Sequence, residues 1–492
     1  MLNEIRYLAL LLALSSAVVS HAQQDATDND SAPLDQVVPV AEENSDADES
    51  IAATDDGLSD EQHLAIEFDR YKRLIAEGAM DEADTSAKRI VEMAIKIYGP
   101  VSHETAKALN NLALVQNKNG QYEPAIQNFE SSVEIIETLE DRLNDRLVNP
   151  LKGLGAAQLG NNRPDLALRT FNRATHITHV NEGPHNIEQV EILESIAEAT
   201  LRVGDAKGAR SMLDRIHVLN VRHFENNELA LLPSLMRRAN WQHRAGYYND
   251  ERATYRRAIR IVEIKLGKDH QQLILPLRRL GRSFYFVDLS QTATRAQGLA
   301  TTGEIYFKRA ARIAEASDDL DWRQLIETKL ALADHYIFVE SYNRARRIYA
   351  EIWLELSGDE ERLAARAELL EQPTALMVDT LPPYAGSGDS AGNPSEQFLT
   401  GKIRVDYNVS TRGRVRNIRT EAIPEEFTDM QRIVHREIRN SVFRPGMVDG
   451  QLLESEDQVF EHSFLYRQTD LDTLKKPPEQ SASPAAEDNP ET

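Results

Sequence analysis

The sequence predicts a mostly α protein, a solenoid of stacked helical hairpins followed by a small α+β domain in the order strand, strand, helix, strand. Three observations carry that expectation. A small residue recurs at intervals of 42, at Ala83, Ala125, Ala167 and Ala209, and four places after each comes Ala87, Phe129, Phe171 or Leu213, mostly large and on the same helix face. Five places before each stands Gly78, Gly120, Asn162 or Gly204, residue types that tolerate the left-handed backbone closing a helix. Beyond Pro373 the apolar period drops to two, as in Ile403, Val405, Tyr407 and Val409, the pattern of a half-buried strand.

Taken in order, the chain opens with Arg6 and an apolar run from Tyr7 to Val19, followed by Ser20-His21-Ala22. The run is shorter than the roughly 20 residues that span a bilayer, and small residues follow it, so residues 1–22 read as a cleavable export signal. The competing reading is an uncleaved inner-membrane anchor. No Lys or Arg occurs between Arg6 and Arg70. Residues 23–63 are rich in Asp, Glu, Ser and Ala and poor in large apolar groups, and so are expected to form an acidic disordered tether.

The repeat runs over 64–372 with an end cap. One further step of 42 reaches Glu251, where the small residue is lost; the register then slips by ten and resumes at Gly303 and Ala345. The large companions continue as Tyr255, Phe307 and Tyr349, and the turn positions as Gly246, Gly298 and Glu340. Twelve places before the small residue comes a mostly small position on the first helix of each hairpin: Tyr71, Ala113, Gly155, Ala197, Ala239, Gln291 and Ala333. Seven units follow from this register. The slip reads as an enlarged turn around 290–298, between the fifth and sixth units. Glu360 to Glu371 reads as a capping helix over the last apolar face.

The small-Gly-aromatic-Ala-Phe order of Ala113, Gly120, Tyr122, Ala125 and Phe129 resembles the signature of the tetratricopeptide repeat family. The 42-residue period, the turn Tyr98-Gly99-Pro100 and the run Ala108 to Ala113 resemble its longer-helix variety, found in kinesin light chains. The resemblance implies protein binding, with the first helix of each hairpin lining a concave groove. By register, the groove positions are Lys107, Asn110, Asn117 and Lys118, then Asn149 and Lys152, then Glu194 and Glu198, then Asn240, His243 and Arg244. Asn and Lys at such places can clamp an extended peptide or its carboxylate; the plain alternative for each is a solvated helix face.

From Pro373 to Pro394 a Pro/Gly-rich stretch leads into the strand at Ile403 to Val409. Thr411-Arg412-Gly413 makes a turn, and Val415 to Ile418 a second strand. Glu425 to Val442 carries apolar residues at helical spacing. Asp449-Gly450 makes another turn, and Val459 to Tyr466 a last strand. The lead-in Pro382-Pro383-Tyr384, the hairpin, the helix ending in Phe443-Arg444-Pro445 and the final aromatic strand resemble the C-terminal domain of TonB-type energy transducers, over 373–467. Two features depart from such transducers: the N-terminal run is short, and a helical solenoid stands where they carry a rigid Pro/Lys-rich spacer. Residues 468–492 are polar and Pro-rich, expected to be a disordered tail.

Composition narrows the chemistry. The formal net charge of −23 argues against nucleic acid as a partner. The chain has no cysteine, which excludes disulfides, thiolate metal sites, cysteine nucleophiles and a lipidated N-terminal cysteine. His103-Glu104 lacks the second helical ligand of a zinc site, since position 107 is Lys107. Gly388-Asp389-Ser390-Ala391-Gly392 has the spacing of a nucleophile elbow without the strand and helix one requires. His176, His179 and His217 read as helix-surface or packed residues. The expectation is a non-enzymatic scaffold without catalytic residue, cofactor or metal. It would be exported to the periplasm of a Gram-negative cell, bind envelope proteins, and be linked to TonB-dependent transport or envelope assembly. The alternatives are a membrane-anchored energy transducer and a hydrolase using Ser390.

Overall fold

The computed structural model describes residues 58–224, 228–286, 293–377, 381–385 and 398–475. The expected export signal, most of the acidic tether, the Ser390 motif and the chain beyond 475 lie outside the described residues.

Seven helical hairpins follow one another, as the periodicity predicts. They are α1 (Asp60–Glu77) with α2 (Met80–Tyr98), α3 (His103–Lys118) with α4 (Tyr122–Leu139), α5 (Val148–Gly160) with α6 (Pro164–Glu182) and α7 (Gln189–Arg202) with α8 (Ala206–His223). Then come α9 (Leu232–Arg244) with α10 (Tyr248–Lys265), α11 (Ile274–Ser283) with α12 (Ala293–Glu315) and α13 (Trp322–Phe338) with α14 (Tyr342–Glu355). Helix starts are capped locally: Ser59 and Gln62 form a reciprocal capping box on α1, and Ser102 and Asp321 accept backbone N–H bonds at the starts of α3 and α13. The box places the first helix at Asp60, inside the stretch expected to be a tether.

The recurring small and large residues form the spine. Ala83, Ala125, Ala167, Ala209 and Ala345 are all 0% exposed, and Phe129, Phe171, Tyr255, Phe307 and Tyr349 are buried with them. The small first-helix positions exist because an aromatic ring from a second helix occupies the space. A Cβ on Gly155 would lie 2.5 Å from the Phe171 ring, and one on Gly153 would lie 2.3 Å from the Phe129 ring. Burying each such ring contributes about 2–3 kcal/mol, and the stack shares the spine because no hairpin can bury it alone.

The ten-residue slip sits elsewhere than expected. Gly281 on α11, 42 residues after Ala239, is the small position of the sixth unit: a Cβ there would meet the Phe307 ring at 2.7 Å, and one on Gly303 would meet the Gly281 carbonyl at 2.7 Å. The first-helix register therefore runs on unbroken to α11, and the extra residues fall inside the sixth hairpin, between α11 and α12. Gln291, the expected small position, lies outside the described residues. Gly298 does not end a helix but lies within α12. At the seventh turn Glu340 takes the left-handed conformation, with φ 61°.

After α14, helix α15 (Glu360–Arg366) runs into a π-type turn at Ala367–Glu371, the expected cap. The chain then enters β1 (Thr374–Met377), inside the stretch expected as a lead-in. The C-terminal unit continues with β2 (Leu399–Val409), β3 (Val415–Ile423), α16 (Thr428–Asn440), β4 (Val442–Arg444), the tiny hairpin β5 (Met447–Val448) and β6 (Gln451–Leu452), β7 (Ser455–Tyr466) and α17 (Gln468–Lys475). Its main sheet is antiparallel in the order β3-β2-β7, with Ile403 opposite both Ala422 and His462. Met430, Val434 and Ile438 of α16 pack on Ile403, Val405, Phe460 and Phe464. The helix is shorter at both ends than its apolar pattern; at the C-terminal end Val442 leaves it to pair in β4 with β1. Helix α17 occupies part of the expected disordered tail. Leu471 buries into the sheet core, and Asp470 accepts bonds from the Arg467 backbone and the Tyr384 hydroxyl.

Solenoid and sheet share one core. Leu376, Val442 and Met447 pack with Ile348, Tyr349, Ile352 and Leu370 of the seventh hairpin and its cap. The second apolar seam of the sheet domain is thus closed by the end of the solenoid.

Candidate protein-binding groove

Consecutive first helices approach one another, α3 against α5, α5 against α7 and α11 against α13, which places them on the inner side of the curve. Along this face runs a ladder of ion pairs between neighbouring first helices. Lys152 on α5 donates to Glu191 on α7 at 2.5 Å. Arg237 on α9 donates to Glu194 on α7 at 3.1 Å, and Arg244 donates to Glu198 at 2.7 Å. Glu198 also accepts from Arg202 at 2.9 Å. Burial works to raise the Glu198 carboxyl, and Arg244 and Arg202 more than offset it, holding it below the ordinary carboxylate range.

Lys152, Glu194, Glu198 and Arg244, placed on the groove by register, are thus all engaged in the ladder, Arg244 with Glu198, Lys152 with Glu191 and Glu194 with Arg237. Lys107, Lys118 and Asn149 are exposed, and Asn117 and Asn240 are half-buried. The Asn110 side-chain oxygen is buried without a hydrogen-bond partner. His243 departs from the groove set. It bonds Glu251 at 3.1 Å and lies edge-on to Phe286, ring centroids 4.6 Å apart. It therefore belongs to the α9–α10 interior, and it explains how a carboxylate can replace the small residue at position 251. Glu191, Arg202 and Arg237 complete the ladder and were not in the register set. Their signal was available as opposite charges on successive first helices.

Toward the solenoid's C-terminal end the inner face is roofed by the sheet domain. A cavity of about 530 Å³ lies between α11, α13 and β1. At its rim Arg444 of β4 makes a two-pronged pair with Asp334 of α13, at 2.8 and 2.7 Å, and donates to the Leu369 carbonyl at 2.6 Å. Tyr349 donates to the same carboxylate at 2.7 Å. Both charged residues are buried, so the pair docks one unit onto the other. Arg414 reaches Glu340 at 2.6 Å, and Arg412 stacks on Tyr342.

The sheet domain also reaches back to the third hairpin. Asn162, in the α5–α6 turn, donates to Thr400 at 2.9 Å and accepts from the Phe398 backbone at 3.3 Å. Arg467 donates to Asp165 at 3.0 Å while its guanidinium covers the Phe398 ring. The groove from the third to the seventh hairpin is therefore bridged by the C-terminal unit. Beneath it, His335 is fully buried against Tyr285 and Phe307, its imidazole pushed down to about 4 by burial. Among the described residues no cluster of three or more His, Asp or Glu side chains could hold a metal ion, and no helix is long and apolar enough to cross a membrane.

Comparison with known proteins places these hairpins. A comparison with curated proteins found no match. Among solved structures, the chain is similar to TPR-like repeats of a kinesin light chain candidate from Podosopora anserina, at 13% identity over 52% of this chain and 98% of that one, TM-score 0.31. It is similar to BtubC from P. vanneervenii, at 17% identity over 49% and 94%, TM-score 0.38. It is similar to aspartyl phosphate phosphatase F from Bacillus subtilis, at 11% identity over 63% and 91%, TM-score 0.36. Residues 74–138, from the end of α1 to α4, match the family model of the tetratricopeptide repeat.

Proposed function

We propose that this protein is a non-enzymatic scaffold of the Gram-negative periplasm that holds an extended segment of an envelope protein against its first-helix face. The scaffold would serve TonB-dependent transport or envelope assembly. The observation that carries the binding reading is the polar, ion-paired inner face of α3 to α9, with Lys107 and Asn149 exposed beside it to contact a ligand. The export reading rests on the run Tyr7 to Val19 and the small residues after it. The link to TonB systems rests on the strand, strand, helix, strand order and on the sequence resemblance of the C-terminal unit. Within that unit β3 pairs only with β2 among the described residues, which offers an edge for strand addition by a partner.

Two measurements test the proposal. Mass spectrometry of the chain recovered from cells should find a mature N-terminus at Gln23 in the periplasmic fraction. Retention of Met1 in membranes would instead favour an anchored transducer, in which the apolar run couples to a motor. Crosslinked capture with the full chain should recover an envelope protein, and a Lys107→Glu, Asn110→Ala, Asn149→Ala variant should lose it. Equal capture by that variant would remove the groove from the account.

A further inference from the structure

We infer that the cavity between α11, α13 and β1 is a binding site for a small oxyanion with an apolar body, of the aryl or alkyl phosphate class. The inference is independent of the peptide-groove reading. The cavity's volume of about 530 Å³ falls within the roughly 300–1,000 Å³ of small-molecule sites.

Five guanidiniums line it: Arg278, Arg279 and Arg282 from α11, Arg323 from α13 and Arg444 from β4. Three carboxylates do so, Glu327, Asp334 and Glu368. Five against three makes the lining more basic than acidic, in a chain whose net charge is −23. The carboxylates are already engaged. Asp334 holds Arg444, and Glu368 grips Arg323 through both oxygens at 2.6 and 2.7 Å. Glu327 lies between Arg278 at 3.6 Å and Arg323 at 3.7 Å. Arg282 is half-buried, and its side chain has no hydrogen-bonded or ion-paired partner among the described residues. Its place in the last turn of α11 suits a cation but supplies no anion. Planar guanidinium forks on one helix, lining one cleft, are the geometry that grips phosphate or carboxylate oxygens.

Part of the remaining wall is apolar, formed by Leu275, Phe307, Leu330 and Leu376. That wall favours an organic anion over a bare inorganic one. Because Leu376 belongs to β1 and Arg444 to β4, an occupant would touch both the solenoid and the C-terminal unit, and so would tighten their docking.

The test uses the full chain with phenyl phosphate, benzoate and inorganic phosphate, each against sodium chloride of matched ionic strength. Phenyl phosphate should raise the melting temperature beyond the chloride control and slow amide exchange in β1, with benzoate and inorganic phosphate weaker. Arg282→Gln should weaken phenyl phosphate binding by about tenfold, the loss of one charge-assisted contact. Should that variant fail to fold, Arg282→Lys keeps the charge, loses the fork, and should show a partial loss. Protection no greater than chloride for all three probes, or equal protection in wild type and the Arg282 variant, would overturn the site.

Discussion

Replacing Arg444 by Met should release the C-terminal unit from the seventh hairpin while the solenoid stays folded. The wild-type guanidinium makes two bonds to Asp334 and one to the Leu369 carbonyl. Summed as net charge-assisted bonds these would total about 4.5–9 kcal/mol. That sum overstates the loss, because water and protonation of Asp334 relieve part of it. Breaking a buried ion pair from one side costs about 3–5 kcal/mol, and that figure is the better expectation here. Asp334 would keep only the Tyr349 hydroxyl in a site 9% exposed. A stacked-repeat protein need not unfold in one step, so the readout should be local. Hydrogen exchange of the β1 and β4 amides reports their opening, and 3 kcal/mol corresponds to roughly a hundredfold faster exchange. Adding Asp334→Leu to Arg444→Met should recover most of the loss, since an apolar replacement of both partners leaves no stranded charge. The reasoning fails if Arg444→Met leaves β1 exchange unchanged, or if the two substitutions simply add.

Three further outcomes are expected. Gly153→Ala should destabilise the second and third hairpins by about 1–3 kcal/mol through overpacking, since its Cβ would sit 2.3 Å from the Phe129 ring; chemical unfolding of a fragment-free full chain checks it, and an unchanged midpoint would contradict the packing. Arg467→Ala should leave the melting temperature of the solenoid nearly unchanged yet loosen the reach to the third hairpin, seen as a longer distance between spin labels at Asn161 and Lys402. His335, held neutral near 4 against an ordinary value of 6.5, binds a proton in the unfolded chain that the folded chain refuses, so stability falls as pH drops from about 6.5 to about 4, by on the order of 3 kcal/mol; the difference between wild type and His335→Phe across that window isolates it, and parallel pH profiles would refute it.

Much of the solenoid was legible because its information is local. A four-residue spacing puts Ala125 and Phe129 on one face, and Gly120 ends a helix by its own backbone freedom. The misplacement of the slip has a physical cause. The second helices break step between Glu251 and Gly303, whereas the first helices keep step one unit longer, to Gly281. Only the contact between Gly281 and Phe307 reveals that. Register places His243 on a helix without fixing which way a half-buried ring turns, and it packs beside Tyr248 and Phe286.

The sequence by itself determined the hairpins, their number, the change to strands after the repeat and the absence of thiol chemistry, since each follows from residues within a few turns of one another. Only the tertiary structure decided that the C-terminal unit folds back across the groove. Arg444 meets Asp334 across 110 positions, and Arg467 meets Asp165 across 302. A lone arginine carries no mark of which distant carboxylate it will meet. That choice is made when two apolar seams close on each other and desolvate the charges between them.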